Sequence, residues 1–426
     1  MPRTFSIKTL GCKLNQYESS LMAHRFLSRG WEPVDFGQAA DAVIINTCTV
    51  TDRSDKKCRN LIRQGARFAR GGGVIVTGCL AEARREELRA MPEVAAAFGN
   101  SDKDDIVPRI EMLLDGDTVR EPRGDETDAP LPYLHTRGFL KIQDGCDNNC
   151  SYCIVPSVRG RARSRDFGGI LDHARKLAGS GCPELVLTGI TIGNYSHDGR
   201  DLAGLVEALA ALEGDFRIRI TSIEPNHVDA RLAALLAHPR VCPHLHLPLQ
   251  SGSDRVLSLM NRPYTKSGYL RAIDMLRSAN PGIAIGADII IGFPGEEESD
   301  FLQSLEMVRA ADFAYVHQFT FSPRSGTAAA GMTGRVSARE TGERGARLRE
   351  AALERALAYR RAHVGKVLPS VVEKNRGAGG YTAVSGNYIK IILEDSEITR
   401  GARGKLAGVM LGSVSASGNL GHVMRG

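Results

Sequence analysis

The chain has 426 residues, 42% hydrophobic and 24% charged, with a formal net charge of +6. At roughly 150 residues per domain, that length allows about three domains, each able to bury its own core. The percentages are ordinary globular values that exclude disorder, collagen and coiled coil as the main architecture, and the longest apolar run, 283–293, is broken by Asp288 and falls far short of the ~20 residues of a membrane span.

The first ~115 residues read as repeated strand–helix units. Phe5–Leu10 is a short strand ended by Gly11-Cys12, and a helix follows over about 17–28. Ala42–Asn46 is the next strand, ended by Thr47-Cys48, and an Arg-rich helix runs to about Arg70. After the Gly71-Gly72-Gly73 turn, Val74–Thr77 is a third strand ended by Gly78-Cys79. Strands alternating with helices imply a parallel sheet with right-handed crossovers. Residues 115–135, with three prolines among many charges, read as a linker.

From Phe139 to about Ser322 the rhythm resumes, with candidate strands at 139–142, 184–187, 217–221, 244–247, 283–291 and 315–319. Six βα units in one stretch predict a complete or partial βα barrel. Residues 335–363 predict a charged helix, and short β-like runs at 370–373, 388–393 and 409–411 predict a small C-terminal β-barrel module. The expected fold is therefore α/β, in three modules: 1–115, 132–362 and 363–426. The opening Met1-Pro2-Arg3-Thr4-Phe5 lacks the basic-then-apolar pattern of a secretory signal, so the expectation is a soluble, cytoplasmic protein with no membrane partner.

Nine cysteines need an explanation. In a reducing cytosol they are read as thiols, and an odd count leaves one unpaired in any case. Cys146, Cys150 and Cys153 lie close enough in sequence to face one centre, and thiolate is the ligand of zinc and of iron–sulfur clusters. A closed zinc site wants four ligands. Three leave one position of a cubane open, as a substrate-binding cluster requires. With Asp144 and Gly145 before it and Tyr152 inside it, this loop resembles that of the radical S-adenosylmethionine enzymes.

Cys12, Cys48 and Cys79 each stand one or two residues beyond a predicted parallel strand. Their separations of 36 and 31 residues are each about one βα unit of ~30 residues or more. Parallel strands place their carboxyl ends on one edge, where open α/β sheets bind ligands, so three thiols would converge there. Taken alone they read equally well as buried structural cysteines. Beside the first triad, a second cluster with its own open iron is the better reading. Cys58, Cys182 and Cys242 show no such pattern.

At this point the chain resembles the radical-SAM methylthiotransferases over nearly its whole length. The matching residues are Gly11 through Ser19, Asn46 through Thr51, Asp144 through Pro156, Arg159-Gly160-Arg161 with Arg163-Ser164-Arg165, and Leu187-Thr188-Gly189-Ile190. They continue with Ser222-Ile223-Glu224-Pro225, His246 through Ser253, Gly292 through Glu296, and Ser322 through Thr327. The resemblance implies an N-terminal cluster domain, a radical-SAM barrel and a C-terminal TRAM-like RNA-binding module. Cys12-Lys13-Leu14-Asn15 and Thr49-Val50-Thr51 are similar to the branch that adds a methylthio group to N6-threonylcarbamoyladenosine beside the tRNA anticodon. Branches acting on isopentenyladenosine in tRNA or on a ribosomal-protein aspartate are the nearest alternatives, and a non-catalytic iron–sulfur RNA-binding regulator is the alternative of another class.

The resemblance implies two 4Fe–4S clusters, one on Cys146, Cys150 and Cys153 that binds S-adenosylmethionine, the other on Cys12, Cys48 and Cys79 that holds the sulfur to be transferred. It implies as partners tRNA, a flavodoxin- or ferredoxin-type electron donor and a sulfur donor. Tyr152, Thr188, Gly189, Glu224, Gln250 and Asp288, in the cluster loop or near strand ends, are candidate contacts to S-adenosylmethionine; for Glu224, Gln250 and Asp288 a helix cap or loop hydrogen bond is an equal alternative. Arg159, Arg161, Arg163 and Arg165 would share one face of an extended segment and bind tRNA phosphates or the carboxylate of S-adenosylmethionine, the alternative being a solvated charge run. Residues 331–426 hold 16 Lys/Arg against 8 Asp/Glu, so the first 330 residues carry −2 and the basic excess lies at one end, where a polyanion would dock.

Overall fold

A computed structural model describes residues 2–70, 72–115, 136–374 and 380–424. These fall into two compact units. The first holds the described residues up to 115 with Asp144–Asn148 and Cys153–Arg163; the second holds Thr136–Gln143, Asn149–Tyr152 and the chain from Ser164 onward. The predicted linker lies, apart from residue 115, outside the described residues.

In the first unit the three predicted strands appear as Thr4–Thr9, Ala42–Thr47 and Val74–Gly78, joined by Glu32–Pro33 and Val94–Ala97. All pairs are parallel, in the spatial order second, first, third, fourth, fifth. The central strand Ala42–Thr47 is buried throughout, as a sheet covered on both faces demands. Side chains alternate across it. Ala42 and Ile44 pack with Phe26, Trp31 and Ile110 on one face, while Val43 and Ile45 pack with Cys58, Ile62 and Leu80 on the other. Strand order reverses between Thr4–Thr9 and Ala42–Thr47, and open α/β sheets bind ligands beyond the carboxyl ends at such a point.

All six predicted barrel strands are present in the second unit: Gly138–Lys141, Glu184–Thr188, Arg217–Ile220, His244–His246, Ala284–Ile291 and Tyr315–Thr320. They pair in parallel in chain order, as two three-stranded sheets bridged at Ile218 with Val241 and Ser222 with His246. Among the described residues no pairing joins the first strand to the last, so the barrel is partial. Leu185, Leu187, Ile218, Ile220, Ile285 and Ile289 meet the surrounding helices in one core. The alternate positions carry Glu184, Arg217, Arg219, His244, His246, Asp288 and Tyr315, a polar lining where closed βα barrels stack branched apolar side chains.

The charged helix runs over Ala338–Arg361, started by a capping box of Ser337 and Glu340. Five strands, Val367–Lys374, Tyr381–Ser385, Lys390–Leu393, Leu406–Val414 and Asn419–Val423, then close into the expected small barrel. The strand predicted over 388–393 starts only at Lys390, because Tyr388, at φ +66, turns the chain before it. That turn places its ring against His244, centroids 4.4 Å apart.

The small barrel is fixed to the amino ends of the larger barrel's strands by hydrogen bonds from buried arginines that are themselves ion-paired to Glu184. Glu184 takes Arg217 Nε at 2.7 Å and Arg219 Nε at 2.7 Å, with Arg137 at 3.4 Å. The remaining guanidinium donors reach carbonyl oxygens of the small barrel, Pro369, Val384, Ser385 and Gly386, at 2.7–3.0 Å. Arg219 is fully buried and Arg217 nearly so, and these hydrogen bonds, two from each, offset their desolvation.

Candidate functional site

Two groups of thiols stand in two different settings. In the first unit, Cys12 is the N-cap residue of the helix Lys13–Ser28, Cys48 follows the strand Ala42–Thr47, and Cys79 opens the helix Cys79–Ala83. Cys12 and Cys48 therefore flank the point where strand order reverses. A Cβ on Gly11 would come within 3.1 Å of Cys48 Cβ. Burial pushes the Cys48 thiol up to about 11, and the thiols of Cys79 and Cys12 are near enough to raise it when ionised. Among the described residues no three Cys, His, Asp or Glu side chains close around the position of a single metal ion. A polynuclear cluster calls for wider spacing.

Asn15 locks two of these loops together. Its amide donates to Thr47 O at 2.9 Å, while its Oδ1 accepts from the Cys12 thiol at 3.2 Å and from Arg159 Nη2 at 3.0 Å. Arg159 also donates to Glu18 Oε1 at 2.8 Å and to Asp144 Oδ1 at 3.2 Å, and Glu18 pairs with Lys103 as well. Cys58 donates to Cys48 O at 3.3 Å and accepts from Cys48 N at 3.5 Å, fixing the loop that carries a candidate ligand. Asn100 reaches Cys79 Sγ at 3.9 Å and holds Val158 O at 2.7 Å.

The row of four arginines does not form one face. Arg159 is the last residue of the helix Val155–Arg159, with its side chain 2% exposed and engaged by Glu18, so it is not open to phosphate. Burial against two carboxylates, rather than alternation on an extended segment, decides its direction. Arg161 and Arg163 are exposed, Arg161 within 3.4 Å of Asp147, and Arg165 is half-buried.

Of the cluster-loop cysteines, Cys146 is buried, its N–H bonded to Gly160 O at 3.1 Å and its sulfur accepting from Asn148 N at 3.3 Å. Gly145, at φ +70, makes the preceding turn, and a Cβ there would strike Arg161 O at 2.0 Å. Cys153 is half-buried. Cys150 belongs to the second unit, where burial pushes its thiol up and Arg262 opposes that shift, Nη1 lying 3.0 Å from its sulfur.

The same unit holds the other candidates. Tyr152 packs edge-on against Phe293, centroids 6.4 Å apart. Thr188 is buried at its strand end, and the space beside Gly189 is taken by Gln143 O, 2.8 Å from where a Cβ would stand. Chain packing thus accounts for that glycine without a cofactor. Glu224 accepts from Arg262 Nη2 at 2.7 Å. Gln250, at φ +64, bonds through its backbone to Asp288 O at 2.7 Å, and the Asp288 side chain lies 3.1 Å from His246 Nε2. The fit to anionic iron–thiolate groups is direct: a buried guanidinium stands beside each set, Arg159 near Cys12 and Cys79, Arg262 on Cys150.

Residues 140–308 match the family model described as the Radical SAM superfamily, and residues 4–99 match one described as Uncharacterized protein family UPF0004. The chain is 35% identical to the threonylcarbamoyladenosine tRNA methylthiotransferase MtaB of Bacillus subtilis (strain 168), covering 92% of this chain and 91% of that protein. It is 37% identical to the protein of the same name from Thermotoga maritima, over 91% of each. It is also 35% identical to the tRNA-2-methylthio-N(6)-dimethylallyladenosine synthase of Cereibacter sphaeroides, over 96% and 99%. Among solved structures, the radical S-adenosylmethionine methyltransferase TsrM of Kitasatospora setae matches with a TM-score of 0.55 at 16% identity, covering 75% of this chain and 72% of that one, a likeness of fold.

Proposed function

The chain belongs to the radical S-adenosylmethionine methylthiotransferases of tRNA, and from that membership we propose that it exchanges the hydrogen on carbon 2 of N6-threonylcarbamoyladenosine, beside the anticodon, for a methylthio group. The observation that carries this reading is the gathering of Cys12, Cys48 and Cys79 at the carboxyl edge of the first sheet in a chain that also has the Cys146, Cys150, Cys153 loop. Two named relatives acting on threonylcarbamoyladenosine, together with the Cys12-Lys13-Leu14-Asn15 motif, favour that substrate over isopentenyladenosine.

In this reading each triad holds a 4Fe–4S cluster and leaves one iron open. When bound, the clusters and S-adenosylmethionine supply the electron, the radical and the methylthio group. The protein's own residues position them. Asn15 orients Cys12, Cys58 holds the Cys48 loop, and Arg159 and Arg262 compensate thiolate charge. Thr188, at the carboxyl end of its barrel strand, Gln250, just beyond the strand His244–His246, and Asp288, inside the strand Ala284–Ile291, would bind S-adenosylmethionine. Residues 1–115, 132–362 and 363–426 serve as auxiliary-cluster domain, radical core and TRAM-like tRNA-gripping module. Exposed Lys366, Lys374, Lys390, Arg400, Arg403 and Lys405 give the last of these its phosphate-facing charge. A flavodoxin- or ferredoxin-type donor and a sulfur donor complete the system, in the cytoplasm.

The test is an anaerobic assay on a threonylcarbamoylated anticodon stem-loop, read by mass spectrometry. The expected result is a methylthio adduct that disappears in Cys12→Ala and in Cys150→Ala. Modification of an isopentenylated stem-loop instead would overturn the substrate assignment. Reconstituted protein should carry about eight irons per chain, and a count near four would remove the auxiliary cluster.

A further inference from the structure

The helix Asp254–Leu259 ends at Met260, and Asn261, in the left-handed region at φ +54, turns the chain back so that Arg262 N bonds to Leu257 O at 2.9 Å. This helix end is joined to the cluster loop on both sides of Cys150. Asn261 donates to Asn149 O at 2.7 Å, Ser151 N donates to Met260 O at 3.0 Å, and Ser151 Oγ donates to Leu259 O at 2.8 Å. Arg262 is thereby aimed at the loop, with its side chain 4% exposed.

Every edge of its guanidinium is engaged. Nη1 donates to Cys150 Sγ at 3.0 Å, Nη2 to Glu224 Oε1 at 2.7 Å, and Nε to Tyr264 Oη at 3.0 Å, while Tyr264 Oη itself donates to Pro248 O at 2.9 Å. Glu224, which the sequence offered as a contact to S-adenosylmethionine or, equally, as a cap or loop hydrogen-bond partner, anchors the arginine that touches the cysteine.

We propose that Arg262 is a positioning residue that raises the reduction potential of the cluster ligated by Cys150, with Glu224 as its counterweight. The proposal rests on the reading that Cys150 ligates a 4Fe–4S cluster. Reduction adds one electron, from an external one-electron donor, to the cluster. A hydrogen bond and a positive charge at a ligand sulfur stabilise the more negative, reduced form. Burial keeps that interaction from being screened by water. Glu224 acts in the opposite sense through its negative charge, but one guanidinium farther from the sulfur.

The experiment is a potentiometric titration, monitored by electron paramagnetic resonance, of the full chain reconstituted anaerobically with iron and sulfide. A Cys12→Ala/Cys48→Ala/Cys79→Ala background leaves only the cluster in question. At a fixed potential near the midpoint, Arg262→Leu is expected to lower the ratio of reduced to oxidised cluster about tenfold, which is about 59 mV for one electron. Arg262→Lys is expected to fall between, and Glu224→Gln to shift the ratio the other way. Unchanged midpoints in Arg262→Lys and Glu224→Gln, with clusters loaded, would overturn the proposal even if Arg262→Leu fails to fold. Failure of the underlying reading looks different: the background protein would bind no cluster, or would keep it after Cys150→Ala.

Discussion

Arg159 is the residue on which the first unit's polar interior turns. Its guanidinium meets Glu18, Asn15 and Asp144, and Asn15 in turn meets the Cys12 thiol. Removing one partner of a buried pair leaves an uncompensated charge, so Arg159→Ala is expected to destabilise the protein by about 3–5 kcal/mol. Urea unfolding of the cluster-free protein measures this, and a loss below about 1 kcal/mol would show that Lys103 alone satisfies Glu18. Cys58 gives a subtler test at the same scale. If Cys12, Cys48 and Cys79 hold the proposed auxiliary cluster, then in a background lacking Cys146, Cys150 and Cys153, Cys58→Ala should release its iron several-fold faster to a chelator, because the Cys48 loop loses both contacts to that sulfur. Equal release rates would reduce Cys58 to core packing. Neither role is visible in the sequence, since Arg159 lies 141 residues from Glu18 and Cys58 looks like any buried residue of an amphipathic helix.

At the level of elements, the strand Glu184–Thr188 begins with a carboxylate that ties two barrels together. Burial alone would raise the Glu184 carboxyl, but Arg219, Arg217 and Arg137 overcome it and hold the group well below the ordinary carboxylate range. A group whose folded value is depressed contributes stability that is complete above its unfolded value of ~4.3 and is lost as pH falls toward the folded value. Unfolding free energy should therefore fall with pH below about 4.3, and Glu184→Gln should flatten that slope while lowering stability at neutral pH. Thermal melts from pH 3 to 7 decide it. An unchanged acid slope would mean that other carboxylates dominate. The six barrel strands were legible because apolar positions alternate at period two. The Glu184 cluster was not, because its carbonyl partners belong to residues 369–386, and only folding brings them to the strand starts.

Across the whole chain, basic charge concentrates in residues 331–426 while chemistry-bearing thiols lie before residue 154. Exposed Lys366, Lys390 and Lys405 sit on the small barrel. Substituting all three by Gln should weaken binding of every tRNA alike. Each lost phosphate contact should reduce the slope of log K against log salt by about 0.7–0.9. Filter binding between 50 and 200 mM salt measures the slope, and one identical to that of the unaltered protein would place the RNA grip elsewhere. A turnover that falls through KM with kcat retained would separate gripping from chemistry.

The sequence by itself determined the strand–helix rhythm and the two cysteine triads, because periodicity and spacing are local properties and survive in one dimension, and its motifs carried the resemblance to the family. Tertiary structure decided what surrounds the thiols. Arg262 stands 112 residues from Cys150, and it reaches that sulfur through a left-handed turn at Asn261 that no periodic pattern announces. It also reversed the expectation for Arg159, which alternate spacing placed on one face with Arg161, Arg163 and Arg165 and which burial beside Glu18 placed inside. Charge type can be read from a sequence, but a charge's partner cannot, because the desolvation that makes pairing obligatory exists only once the chain has folded.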